Sequence, residues 1–419
     1  MNFKLALAAA AVVGLAGTAQ AADLAKKAPA AANYVKVCDA YGAGYFYIPG
    51  SDTCLKIGGF VRFQATVFGP NKNWDNQHAT WGWSRNHNGL QTFTRADITL
   101  DARTNTELGL LRSYIDVIAD NGSYGTVTNT TNAYIHQAFI QFAGLTAGRA
   151  SSFFDFVTNA TLTSTATPMP DAKVNLLAYT FSFGNGISAS LSIEDPSTAG
   201  NGNPLTSTAI RRSTLGAPYG GVHSPDLVAN LNVTQAWGAA QIAGVLHMDD
   251  AAAGTSDQNK AGYAVLAGVK VNLPMLGAKD QLALQVVYGK GAVGYVLDGW
   301  QNSPAASGGF GAVDFWTDAA GSIVQASGTG FYGSLTHGWT PSLASALGVG
   351  YASYKGARSD RDFAQLDIRA NLAWTPVANL TITGEVSNLN VYYSTEAKAN
   401  VGLRNENRTN FDLRIQRSF

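Results

Sequence analysis

Charge is scarce in this chain: its 419 residues include 28 Lys+Arg and 28 Asp+Glu, and charged residues make up only 13%. About a quarter of a soluble domain is usually charged, so the balance is not that of an ordinary water-soluble protein. A formal net charge of +0 leaves no clustered excess of Lys and Arg, which excludes nucleic acid as a partner. Cysteine (2), methionine (4) and histidine (6) are sparse. His78, His87, His136, His223, His247 and His337 are scattered, none paired with another at ligand spacing, so no metal, cofactor or catalytic group is expected. Long apolar runs are also missing, because Gly, Asn, Thr and Ser interrupt every stretch that could serve as a span of about 20 apolar residues. What is present, 45 Gly and 46% hydrophobic residues, suits a large β protein.

Residues 1–21 join the basic Lys4 to an apolar centre through Leu15 and close on Ala19-Gln20-Ala21, the parts of an export signal cleaved after Ala21. A mature chain of 22–419 follows. Export makes a disulfide between the two cysteines, Cys38 and Cys54, the natural expectation; closing that loop stabilises by about 3 kcal/mol.

Two windows, 174–193 and 227–246, carry no charged side chain, yet Gly184-Asn185-Gly186 and Trp237-Gly238 cut them at the middle. Asn-Gly is a strong two-residue hairpin signal, so both windows read as hairpins with arms long enough to cross a bilayer as tilted strands. Alternation recurs along the chain. Phe411, Leu413 and Ile415 oppose Asp412, Arg414 and Gln416; Leu366 and Ile368 oppose Asp367 and Arg369; Val61 and Phe63 oppose Arg62 and Gln64.

A soluble sandwich alternates too, so connection lengths decide. Sixteen strands are expected near 57–69, 90–102, 107–119, 133–143, 145–150, 174–184, 186–194, 226–236, 239–249, 261–273, 280–290, 330–340, 342–354, 363–375, 378–392 and 408–419. Long joins around 70–89, 120–132, 151–173, 195–225, 291–329 and 393–407 mostly alternate with very short ones. Such alternation gathers the long loops on one rim, as in an all-β transmembrane antiparallel barrel with short periplasmic turns and long extracellular loops. Trp339-Thr340-Pro341 and Trp374-Thr375-Pro376 place aromatics at strand ends, where an interfacial girdle belongs.

The stretch Tyr34-Val-Lys-Val-Cys38-Asp-Ala-Tyr-Gly-Ala-Gly-Tyr-Phe-Tyr-Ile-Pro-Gly50, followed by Asp52-Thr-Cys54-Leu-Lys-Ile-Gly-Gly-Phe60-Val-Arg62, resembles the opening of the alphaproteobacterial general porins. Residues 138–144 and 148–156 look like that family's fourth and fifth strands entering its third loop. The resemblance implies a sixteen-stranded barrel in the outer membrane, a homotrimer, and passage of small hydrophilic solutes. It also makes 151–173 the loop that folds into the lumen. The terminal strand, with Phe411, Leu413, Ile415 and Phe419 on one face, resembles the signal read by barrel-assembly machinery, although Arg417 departs from that pattern.

A barrel this wide leaves a wet lumen, and charged side chains at its narrowest section set selectivity. Asp155 and Asp171 are expected to face an arginine group drawn from Arg62, Arg95, Arg112, Arg369 and Arg414. The nearest alternative is a channel selective for a sugar or anion. A barrel phospholipase lacks support, since no H-x-S or G-x-S-x-G occurs; a non-conducting structural or adhesin barrel would show a plugged lumen. Gly289-Lys-Gly291-Ala-Val-Gly294 matches a dinucleotide fingerprint but leads into a Gly, Ser and Asn-rich loop rather than a helix.

Overall fold

The computed structural model describes residues 36–69, 89–124, 127–162, 169–199, 219–256, 258–297, 312–356, 360, 362–401 and 404–419. The expected export segment 1–21 lies outside them, as do His78 and His87.

Sixteen long strands follow one another: β1 (Cys54–Phe68), β2 (Leu90–Thr106), β3 (Gly109–Tyr124), β4 (Val127–Phe142), β5 (Leu145–Ser151), β6 (Lys173–Gly184), β7 (Ile187–Glu194), β8 (Asp226–Gln235), β9 (Gly238–Asp250), β10 (Asn259–Asn272), β11 (Gln281–Lys290), β12 (Ser327–Thr340), β13 (Leu343–Lys355), β14 (Phe363–Val377), β15 (Leu380–Tyr393) and β16 (Glu406–Ser418). Each pairs antiparallel with its neighbours in sequence, and β16 returns to β1, with Asp412 opposite Thr66 and Arg414 opposite Gln64, so the ring has no edge. All sixteen expected strands are present. The expected loop 120–132 is not: β3 runs on to Tyr124 and β4 starts at Val127, paired with it, because the β-branched run of Val and Thr there extends the hairpin.

Alternation separates the two faces of the wall. Ile57, Val61, Phe63, Ile98, Ile115, Val117, Ile368, Leu372, Phe411, Leu413, Ile415 and Phe419 are exposed, an apolar outer belt. Gln64, Thr66, Asp97, Asp101, Asp116, Asp120, Asp367, Arg369 and Asp412, in the opposite phase, are buried. The WTP repeats stand at two turns of one rim, Trp339 and Trp374 both exposed. At Asn185 and Gly186 φ is +50° and +74°, the left-handed pair a two-residue hairpin needs.

The described parts of the β11–β12 join, 291–297 and 312–326, pack into the molecule. Ala292, Val293, Tyr295, Val296, Leu297 and Ala312 are buried in one cluster with Val245 of β9, Leu266 of β10 and Val287 of β11. A short hairpin, Phe315–Thr317 with Ile323–Gln325, sits within the same join, and Phe315 and Ile323 pack with Ala251. The glycine fingerprint ends in a single 3-10 turn, Val293–Tyr295, and opens no helix. Cys38, ahead of β1, and Cys54, the first residue of β1, form the expected disulfide.

Candidate functional site

The join between β5 and β6 is held by lumen-phase side chains of one strand after another. Its ends are tied together by Ser152 N donating to Ala172 O (2.9 Å) and Ala172 N donating to an Asp155 carboxylate oxygen (2.6 Å). Glu194 of β7 accepts from Ser152 Oγ (2.7 Å) and Phe153 N (2.9 Å). Asn230 of β8 donates to Phe153 O (2.6 Å), and Gln241 of β9 to the carbonyls of Phe154 and Asp155 (both 3.3 Å). Val157 N then donates to Gln285 of β11 (3.1 Å), Ala160 N to the Tyr332 hydroxyl of β12 (3.2 Å), and Leu162 N to Glu385 of β15 (2.6 Å). Arg369 of β14 donates to Leu162 O (2.9 Å). The aromatics add apolar anchors. Phe154 is fully buried, edge-on to Tyr295 with ring centroids 4.9 Å apart, and Phe156 lies against Gly268 with the Lys270 ammonium 4.6 Å from its ring centre. A Cβ at Gly268 would come within 2.5 Å of Phe156, so that position must stay bare.

The five candidate arginines divide into three groups. Arg62 and Arg95 are direct cross-strand partners on β1 and β2, and Arg414 of β16 faces Gln64, the next lumen-phase residue of β1. Arg62 donates to Gln416 (2.9 Å) and Arg414 to Gln64 (2.8 Å), whereas Arg95 makes a two-point ion pair with Asp120 (2.6 and 2.8 Å). Arg112 joins Arg103 in clasping Asp101, at 2.9 and 3.0 Å, near the β2–β3 turn. Arg369, only 2% exposed, pairs with Asp367 at 2.6 Å and supports Leu162 from beneath. Asp171 pairs with Lys173 at 2.8 Å.

Asp101 also accepts a 2.8 Å hydrogen bond from Tyr45, tying the disulfide-closed segment before β1 to the wall. Burial, and then that carboxylate, push the Tyr45 phenol above its usual range. Sequence reasoning passed over Glu194, Gln241, Gln285 and Glu385, the residues that seat the β5–β6 join. Their polar phase on otherwise apolar strands was the available signal.

The profile of a family described as "Porin subfamily" matches residues 23–415. The porin Omp2b of Brucella suis is 33% identical over 272 residues, covering 59% of this chain and 67% of that protein. Among solved structures, the outer membrane channel DcaP of Acinetobacter baumannii superposes with a TM-score of 0.68 at 17% identity, over 89% of this chain and 99% of that one. OmpT of Vibrio cholerae, in its trimer form, gives 0.52 at 8% identity over 88% of this chain and 100% of its own. With a profile spanning nearly the whole barrel and a named porin relative, the chain belongs to the porin subfamily of bacterial outer-membrane proteins.

Proposed function

We propose that the protein forms a water-filled channel through which small hydrophilic solutes and ions diffuse down their gradients, without catalysis. One observation carries this reading: the closed ring presents an apolar belt outward and a charged, hydrogen-bonded face inward. Liposome swelling with sugars of increasing size tests it. A rate that falls steadily with solute size supports the channel; no swelling with the smallest sugar rejects it.

The β5–β6 join supplies the constriction. Asp155 stands where Gln241 of β9 grips the join, while Arg62 is on β1, and in a ring of sixteen those two strands are half a turn apart. Acidic and basic groups therefore face one another across the lumen, with Arg62 and Arg414 as the basic side and Asp155 and Asp171 as the acidic side. Arg95, Arg112 and Arg369, each committed to a neighbouring carboxylate, act as supports. The field across such an opening orients dipolar solutes and weights anions against cations.

The chain is read further as one subunit of a homotrimer, on the strength of the fold shared with an outer membrane protein solved in trimer form. Cross-linking in detergent tests this, and a single monomeric band rejects it. The exposed row Phe411, Leu413, Ile415 and Phe419 suits capture by barrel-assembly machinery, and a signal peptide at 1–21 delivers the chain to it.

A further inference from the structure

Near the long-loop end of β9, three side chains from distant parts of the chain converge. His247 and Asp249 are two residues apart on one strand and therefore share a face, and Asp314 comes from the β11–β12 join. One ligand atom from each lies within 4.8 Å of the others, and all three residues are buried. Nothing in the channel reading uses them.

The surroundings are built around this cluster. His247 Nδ1 lies 2.7 Å from an oxygen of Asp226, itself fully buried, and Tyr295 donates its hydroxyl to the other oxygen of Asp226. A carboxylate that accepts from one imidazole nitrogen fixes the ring and leaves Nε2 as a lone-pair donor, the arrangement found behind metal-bound histidines. Asp314 is fixed by the amides of Val293 (2.5 Å) and Gly294 (3.3 Å) on its Oδ1. Asp249 accepts from Gln325 at 2.9 Å through Oδ2, but its Oδ1 has no hydrogen-bond partner although the residue is only 1% exposed. An oxygen buried with nothing to accept from costs on the order of 1–3 kcal/mol unless a ligand meets it.

Charge points the same way. Asp226, Asp249, Asp250 and Asp314 are all buried around a single histidine. Lys260, the cross-strand partner of Asp249, gives its ammonium to Ile323 O at 2.9 Å. Carboxylates packed this closely away from water either take up protons or hold a cation among them. A small cavity lined by Tyr219, His247, Asp249, Asp250 and Phe315 adjoins the cluster.

We propose that His247, Asp249 and Asp314 bind one divalent transition-metal ion, zinc foremost, which fastens the β11–β12 join to the wall. One imidazole nitrogen with two carboxylate oxygens suits zinc or manganese better than calcium, which takes six to eight oxygens. Ligands of a tetrahedral zinc stand roughly 3.4 Å apart, so binding draws the three donor atoms, now within 4.8 Å of one another, closer together by at most about 1.4 Å. The inference is independent of whether the barrel conducts.

The test uses the full folded barrel in detergent, stripped with EDTA and passed through gel filtration after loading with zinc. One zinc retained per chain is the expected result. Asp249→Asn and Asp314→Asn should each weaken binding at least about tenfold, and Asp226→Asn, acting through His247, roughly 10- to 100-fold. Heat-modifiable electrophoretic mobility identifies any variant that fails to fold. For that event the unmutated protein is loaded with cobalt, where intense visible bands of four-coordinate Co2+ support the site and the weak spectrum of hydrated cobalt overturns it. Failure to retain zinc, or equal affinity in all folded variants, also overturns it.

Discussion

Replacing Arg62 or Arg414 by Ala removes a positive charge whose hydrogen-bond partner is a neutral glutamine rather than a carboxylate. An ion passing about 5 Å from that charge feels about 0.8 kcal/mol in water, cut to about 0.4 kcal/mol by a Debye length of about 8 Å at roughly 0.15 M salt. Since the change favours cations and disfavours anions by equal amounts, the permeability ratio should move roughly fourfold toward cations. At about 0.01 M salt the Debye length is about 30 Å and the expected movement rises to roughly tenfold. Reversal potentials across planar bilayers, with a salt gradient, read this ratio directly. The double change Arg95→Ala with Asp120→Ala removes both members of a tight ion pair and should leave the ratio near that of the unmutated protein. Unchanged reversal potentials in both Arg62→Ala and Arg414→Ala at low salt would refute the assignment of the β1–β16 patch as the basic side of the constriction.

Three further outcomes follow from the same geometry. Ile368→Arg puts a cation on the lipid face and should lower stability by about 2–4 kcal/mol if the site lies near the bilayer midplane, read as a lower urea midpoint for folding into vesicles. Gly268→Val drives a side chain into Phe156 and should cost about 1–3 kcal/mol while raising noise in single-channel records; a quiet channel of unaltered stability contradicts the packing described. Cys38→Ser, read by hydrogen exchange, should lose about 3 kcal/mol of protection in residues 38–54 alone, leaving the closed ring intact.

The strand pattern was legible because period-2 alternation and turn chemistry are local, and the membrane environment enforces both: the lipid-facing phase is apolar and each strand turns at a rim. The outward row Phe411, Leu413 and Ile415 and the turn at Asn185-Gly186 needed no partner to be recognised. What lies inside the ring was much less visible. Arg369 reads in sequence like Arg62, yet one is sealed beneath Leu162 and the other faces Gln416; only the course of the β5–β6 join separates them. His247 and Asp249 share a strand face in plain view, but their third neighbour, Asp314, arrives from a join whose apolar Val293, Tyr295 and Leu297 turn inward, and no spacing rule connects the two. The 120–132 stretch failed for the opposite reason, because Thr and Asn suggested a loop where the β preference of Val and Thr continued a hairpin.

The strap across the interior has a consequence for biogenesis. Leu162 is gripped by Glu385, which lies 223 residues farther along the chain, and Ala160 by Tyr332, 172 residues away. Neither clasp exists until the later strands have been added. A nascent cylinder therefore begins wide-bored, and the proposed narrowing is a late step, completed only after β15 has joined the wall.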